Sequence, residues 1–189
     1  MNKFWNPFEF IAGWQALAAG AAGLVVSAVV ASLTDQSFNG MLHVRFAEVT
    51  FWQSLVQQGI CWLLLATLLY AAALIFSRSS VRALDIYGTM LFAQIPLTLM
   101  VASALIILPE LGALATRPVE ELIAYIQSHP IPVMLYGVLV VVLLVWYFMW
   151  SYRAFSVSAN MRGERAVAIF IVCCLVSWVA AGPILQLIG

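Results

Sequence analysis

Charge is what this sequence has least of. Only 8% of its 189 residues are Asp, Glu, Lys or Arg, against 65% hydrophobic. A soluble domain carries about a quarter charged residues, so this chain cannot cover a water-facing surface and needs lipid as its solvent. Its eight acids and eight bases cancel, which argues against nucleic acid as an electrostatic partner. Cysteine is scarce too: Cys61, Cys173 and Cys174 all fall inside apolar runs. None lies in a connecting loop for an extracytoplasmic disulfide, and no spacing suits zinc, so the three read as small buried hydrophobes. There is no Gly-rich phosphate loop and no Ser-centred nucleophile elbow. The chain is expected to be non-enzymatic, with no cofactor and no metal.

What is there is apolar length. Five runs reach the roughly 20 residues needed to cross a bilayer: Phe10–Leu33, Trp52–Phe76, Leu84–Leu108, Ile131–Tyr152 and Ala166–Ile188. The expected fold is all-α, a single polytopic transmembrane helix bundle over residues 1–189. The first run has Lys3 ahead of it and Val-Val-Ala at 29–31, as a signal peptide would. It exceeds the roughly 7–15 residues of a signal core, so a retained helix is the reading.

Basic residues set the expected orientation. Lys3, Arg78, Arg82, Arg153, Arg162 and Arg165 fall on one side of the spans, and only Arg45 and Arg117 on the other. Six against two, in short loops, puts the N-terminus in the cytoplasm and the C-terminus outside. Aromatics at Phe4–Trp5, Phe51–Trp52 and Trp146–Tyr152 suit the interfaces. The three arginines of the fourth loop could also favour anionic lipid, though topology alone accounts for them.

The outer loops carry local signals. Asn39-Gly40 between Gln36–Phe38 and Met41–Phe46 suits either a short hairpin on the membrane surface or a plain loop. In the second outer loop Pro118 suits a first helical position, followed by Glu120 and Glu121 at the positive end of the helix dipole. Val119, Leu122, Ile123 and Ile126 then recur at helical spacing and Pro130 stops the pattern. This predicts a short amphipathic helix on the outer interface. His43 and His129, one per outer loop, could share a metal with Glu48 or Glu120, but the spacing matches no ligand pattern and they read as surface histidines.

Inside the spans, small and polar residues stand out. Ala16, Gly20, Gly23, Ser27 and Ala31 form a stripe at about four-residue spacing, which lets helix backbones approach closely. It suits a dimer interface or packing within the bundle, and the bundle is the favoured reading. Polar positions are few: Gln57, Gln58, Thr67, Gln94, Thr98, Ser103, Ser177 and Gln186. No ionisable group sits at mid-membrane, which counts against a proton-coupled transporter or ion pump. The unusual residues concentrate in the third span. Asp85 can pair with Arg82 or Arg153, Tyr87-Gly88 permits close approach, and Pro96 bends the helix, with Gln94 and Thr98 within a turn of it.

The string Leu84-Asp85-Ile86-Tyr87-Gly88 followed by Gln94-Ile95-Pro96-Leu97 resembles the Yip1-domain family. The stretch from Trp146 through Arg153 and Phe155 to Gly163-Glu164-Arg165-Ala166 is similar to that family's fourth-loop pattern, and Asn6-Pro7-Phe8 to its bacterial members. The resemblance implies five spans, a cytoplasmic N-terminus and a non-enzymatic role in membrane organisation or in assisting other membrane proteins. With no long polar segment before the first span, it points to the bacterial inner membrane. Expected partners are the lipid bilayer and other membrane proteins or a second copy. Asp85, Tyr87, Gly88, Gln94 and Pro96 are the candidate contact residues. The competing reading is a small transporter or channel with a polar path near Gln57, Gln94 and Pro96.

Overall fold

The computed structural model describes residues 6–38, 44–77, 79–115 and 117–186. In chain order these form a 3-10 turn (Pro7–Glu9), α1 (Gly13–Leu33), β1 (Gln36–Phe38), β2 (Val44–Phe46), α2 (Phe51–Phe76), α3 (Ala83–Phe92) and α4 (Ile95–Ile107). Then follow α5 (Leu111–Ala115), α6 (Val119–Ser128), α7 (Pro130–Ser158) and α8 (Glu164–Gln186). Five stretches are long and apolar enough to cross a membrane: α1, α2, Ala83–Ile107 (α3 and α4 together), α7 and α8. The structure is thus an all-α bundle with one two-stranded hairpin. Lys3, Phe4, Trp5, the Asn39-Gly40 turn with Met41, Leu42 and His43, Arg78 and Ile188 lie outside the described residues.

Local chemistry sets the ends of the helices. Thr50 and Gln53 cap α2 reciprocally, each side chain accepting from the other's backbone N–H at 3.3 and 3.0 Å. The chain runs helical six residues past Tyr152, because α7 ends on a left-handed cap. Asn160 takes φ 49°, and the Met161 and Asn160 amides bond to the Ser156 and Val157 carbonyls at 3.0 and 3.2 Å. Pro118 is the N-cap of α6 and not its first helical residue: its ψ of 143° is extended, while its carbonyl accepts from Glu121 N–H. No residue of α6 is buried, and Val119, Ile123 and Ile126 are exposed. Its apolar stripe is left uncovered by the bundle.

The hairpin differs from a surface ribbon. β1 and β2 pair antiparallel with Gln36 opposite Phe46 and Phe38 opposite Val44, and all three residues of β1 are buried. Strand backbone at the edge of a bilayer needs internal partners; Gln57 supplies one, and Gln36 anchors the strand by its own side chain. Gln36 Nε2 donates to Thr34 Oγ1 at 2.8 Å and to the Val101 carbonyl at 3.3 Å. Gln57 Oε1 accepts from Ser37 Oγ at 3.2 Å and Phe38 N–H at 3.1 Å. Gly112 of α5 lies so close to the Thr34 carbonyl that a Cβ there would overlap it. The hairpin is therefore seated in the end of the bundle.

Ala83–Ile107 is the central span. Half of its apolar window is buried, against 11% for α7, and it packs on α1, α2 and α7. It runs parallel to α1: Gly13 and Leu17 meet Gly88, Gly20 meets Leu91 and Phe92, and Gly23 meets Ile95 and Thr98. At the end opposite the hairpin, Phe8 is buried edge-on to Phe92 and Trp150, with ring centroids 5.9 and 5.8 Å apart. Phe92 stacks on Trp150 at 5.6 Å. Ser77 Oγ donates to the Ala159 carbonyl at 2.8 Å, which ties the α2–α3 and α7–α8 connections together there. Arg82, Arg153, Arg162 and Arg165 belong to the same end.

Candidate functional site

The central span is broken, and the break places its polar residues. Pro96 has no N–H to offer the Phe92 carbonyl. The backbone turns at Ala93 and Gln94, where Gln94 N–H reaches the Leu91 carbonyl at 3.1 Å. Leu97 and Thr98 N–H both return to the Gln94 carbonyl, at 2.9 and 3.2 Å. A new helix starts with Pro96 in its first turn and buried. Thr98 Oγ1 donates to the Gly23 carbonyl at 3.3 Å, which ties the first turn after the break to α1.

Beside the break lies a cavity of about 20 Å³. Its polar lining is Ser27 from α1, Gln58 from α2, and Gln94 and Thr98 from the central span. Cys61 and the apolar Leu24, Leu97 and Phe38 complete the wall, with Phe38 brought in by the hairpin. Gln58 Nε2 donates to Ser54 Oγ at 2.9 Å. All four polar groups are neutral, so the cavity can exchange hydrogen bonds and holds no carboxylate or basic group. Gln57 is not in it: one residue along α2, its amide faces the hairpin.

A second opening is apolar. Phe148 of α7 with Phe170, Ile171, Cys174, Leu175 and Trp178 of α8 line a groove of about 190 Å³ on the flank of the bundle. Tyr152 and Phe155 close it off below by packing on Phe170, with centroids 5.7 and 6.4 Å apart. Farther toward the hairpin end α7 packs on α4 and leaves Ile131, Met134, Val138, Val141 and Val145 exposed.

Comparison with known protein families, curated proteins and solved structures returns no match for this chain. Function must be read from the chain's own geometry.

The other candidate residues of the central span face different neighbours. Tyr87 turns to α2: its hydroxyl is 2.9 Å from Thr67 Oγ1, its carbonyl accepts from Trp62 Nε1 at 3.1 Å, and its ring meets Trp62 edge-on. Gly88 turns to α1, where a Cβ would stand 2.7 Å from the Gly13 carbonyl oxygen. Asp85 sits half-buried beside Gly13, and its carbonyl accepts from Thr89 Oγ1 at 2.6 Å and Ser158 Oγ at 3.3 Å. It pairs with neither Arg82 nor Arg153; the one ion pair among the described residues is Arg117–Glu121, on the first turn of α6. In the stripe of α1, Ala16, Gly20, Ser27 and Ala31 are buried and Gly23 half-buried. Among the described residues no three His, Cys, Asp or Glu come together as a metal site. His129 stacks on Tyr125 at 4.4 Å at the α6–α7 corner.

Sequence reasoning offered Gln36–Phe38 as an arm of a surface hairpin or a loop but not as part of the bundle, and passed over the α7–α8 groove, whose residues are ordinary for a span. The nearest signal for the cavity was the pair Gln57-Gln58. One of two adjacent polar residues must face each way.

Proposed function

We propose that this chain is a non-enzymatic scaffold of the bacterial cytoplasmic membrane, organising or assisting other membrane proteins through lateral helix contacts. The observation that supports this reading is the contrast between its interior and its flank. The polar pocket beside Pro96 holds only about 20 Å³, while an apolar groove and one face of the hairpin-end half of α7 stand uncovered. Contacts between helices in lipid depend on such surfaces, through van der Waals packing. The resemblance to the Yip1-domain family points the same way.

The second reading is a small transporter or channel. Ser27, Gln58, Gln94 and Thr98 favour it, since they line a polar void between spans; Gln57 belongs to the hairpin seat and not to such a path.

Site-specific photo-crosslinking in native membranes separates the two. A probe at Val138 or Val141 of α7 should yield discrete protein adducts, and one at Val26 of α1 only lipid adducts. If α7 gives lipid adducts alone, the scaffold reading fails; solute flux into liposomes holding the pure protein would support the transporter. Within the scaffold reading Asp85, an acid with no ion-pair partner among the described residues, is a contact group. Asp85→Asn should keep folded yield and weaken adduct formation.

A further inference from the structure

Ser27 poses a problem that the cavity answers. Its side chain is 2% exposed, and its hydroxyl has no hydrogen-bond partner. A hydroxyl buried unpaired in apolar surroundings is costly, and membrane interiors offer no bulk water to relieve it. Ser27 lines the void of about 20 Å³ beside the break in the central span. A void needs roughly 10–15 Å³ of this kind to hold one water, together with two to four polar partners.

The partners are present on three sides. Gln58 is 7% exposed and spends one amide hydrogen on Ser54 Oγ, which leaves its carbonyl oxygen and its second amide hydrogen. Gln94 brings a full side-chain amide from the turn that precedes Pro96. Thr98 donates to the Gly23 carbonyl and keeps its acceptor lone pairs. Phe38 of the seated hairpin and the apolar Leu24 and Leu97 wall the void. The α7–α8 groove is far larger but lined by apolar side chains and a thiol, and apolar cavities stay dry. Lining, not size, sets the difference.

We propose that this cavity is a built binding site for a single water molecule, held by Ser27, Gln58 and Gln94 with Thr98 at its edge. The water takes the hydrogen bond that Ser27 otherwise lacks. It also joins α1 and α2 to the point where Pro96 interrupts the central span, adding to the direct bond from Thr98 to Gly23. The site is independent of the scaffold reading and stands or falls separately from it.

Two measurements test it on the full chain in detergent. The first is the sign of a Tm change. If the cavity is dry, Ser27→Ala removes an unpaired buried hydroxyl and raises Tm or leaves it unchanged. If water is bound, the same change strips the water of a partner and lowers Tm. The second uses native thiols as reporters in the wild type. Brief X-ray exposure makes hydroxyl radicals from whatever water is present. Cys61, which lines the cavity, should oxidise several-fold faster than Cys173, which is equally buried on α8 away from it. Equal oxidation of the two overturns the proposal, as does a Tm that fails to fall. Should Ser27→Ala fail to fold, the wild-type oxidation ratio decides alone.

Discussion

Replacing Gly20 by alanine should be among the most damaging single-methyl changes in this protein. A Cβ built there lies 2.6 Å from both the Leu91 carbonyl carbon and the Phe92 nitrogen, and 2.8 Å from Leu91 Cγ. Two of the three obstacles are backbone, which cannot swing away as a side-chain tip can. Carbon atoms rest at about 3.5–4.0 Å, so α1 and α3 must part by roughly 1 Å and lose contacts along their whole crossing. Forcing such overpacking costs about 1–3 kcal/mol. Alanine gives back about 1 kcal/mol through its better helix propensity, which leaves Gly20→Ala net destabilising by up to about 2 kcal/mol. Gly23 is the internal control. Its Cβ would meet Ile95 Cγ1 at 3.6 Å and Thr98 Oγ1 at 3.8 Å, ordinary contacts with side chains. Gly23→Ala should therefore be neutral or stabilising by up to about 1 kcal/mol. Reversible unfolding of both variants in mixed micelles, followed by circular dichroism, measures the difference. Equal stability of the two, or a larger loss at Gly23, would refute the claim that backbone-to-backbone approach at Gly20 sets the α1–α3 distance.

Two further outcomes are expected. With its own cysteines replaced, a chain carrying a single cysteine at Ser79 or Glu164 should react with an impermeant thiol reagent only after spheroplast lysis, whereas one at Ser128 should react in intact spheroplasts; the reverse pattern would invert the orientation inferred from the basic residues. Gln57→Leu removes the acceptor that holds Ser37 and Phe38, so the hairpin should lift and expose Cys61 to a small water-soluble thiol reagent; protection equal to wild type would mean that Gln36 and the strand pairing seat the hairpin without it.

Span number and placement were legible in the sequence because apolar length is a local property, and each run needs only enough residues to cross a bilayer. The amphipathic α6 was legible for a related reason: at an interface its two faces must differ, so its pattern is written along the chain. Inside the bilayer that signal disappears. A helix apolar all round satisfies lipid and protein neighbours equally, so nothing local tells which face points inward. Adjacent Gln57 and Gln58 illustrate this, since only the docked bundle sends the first to the hairpin and the second to the cavity. Likewise the stripe Ala16, Gly20, Gly23 and Ser27 marks a close-packing face, but only the parallel crossing with α3 makes Gly20 tight and Gly23 loose. Pro96 foretold a break, whereas the hydrogen bond that ties the next turn to a neighbour, Thr98 to Gly23, reaches a helix about 75 residues away in sequence. The hairpin shows the limit most plainly. Its residues suit a surface hairpin or a plain loop equally, and only the docked bundle brings Gln57 to the Phe38 N–H and the Val101 carbonyl to the Gln36 side chain, which seats β1 in the bundle.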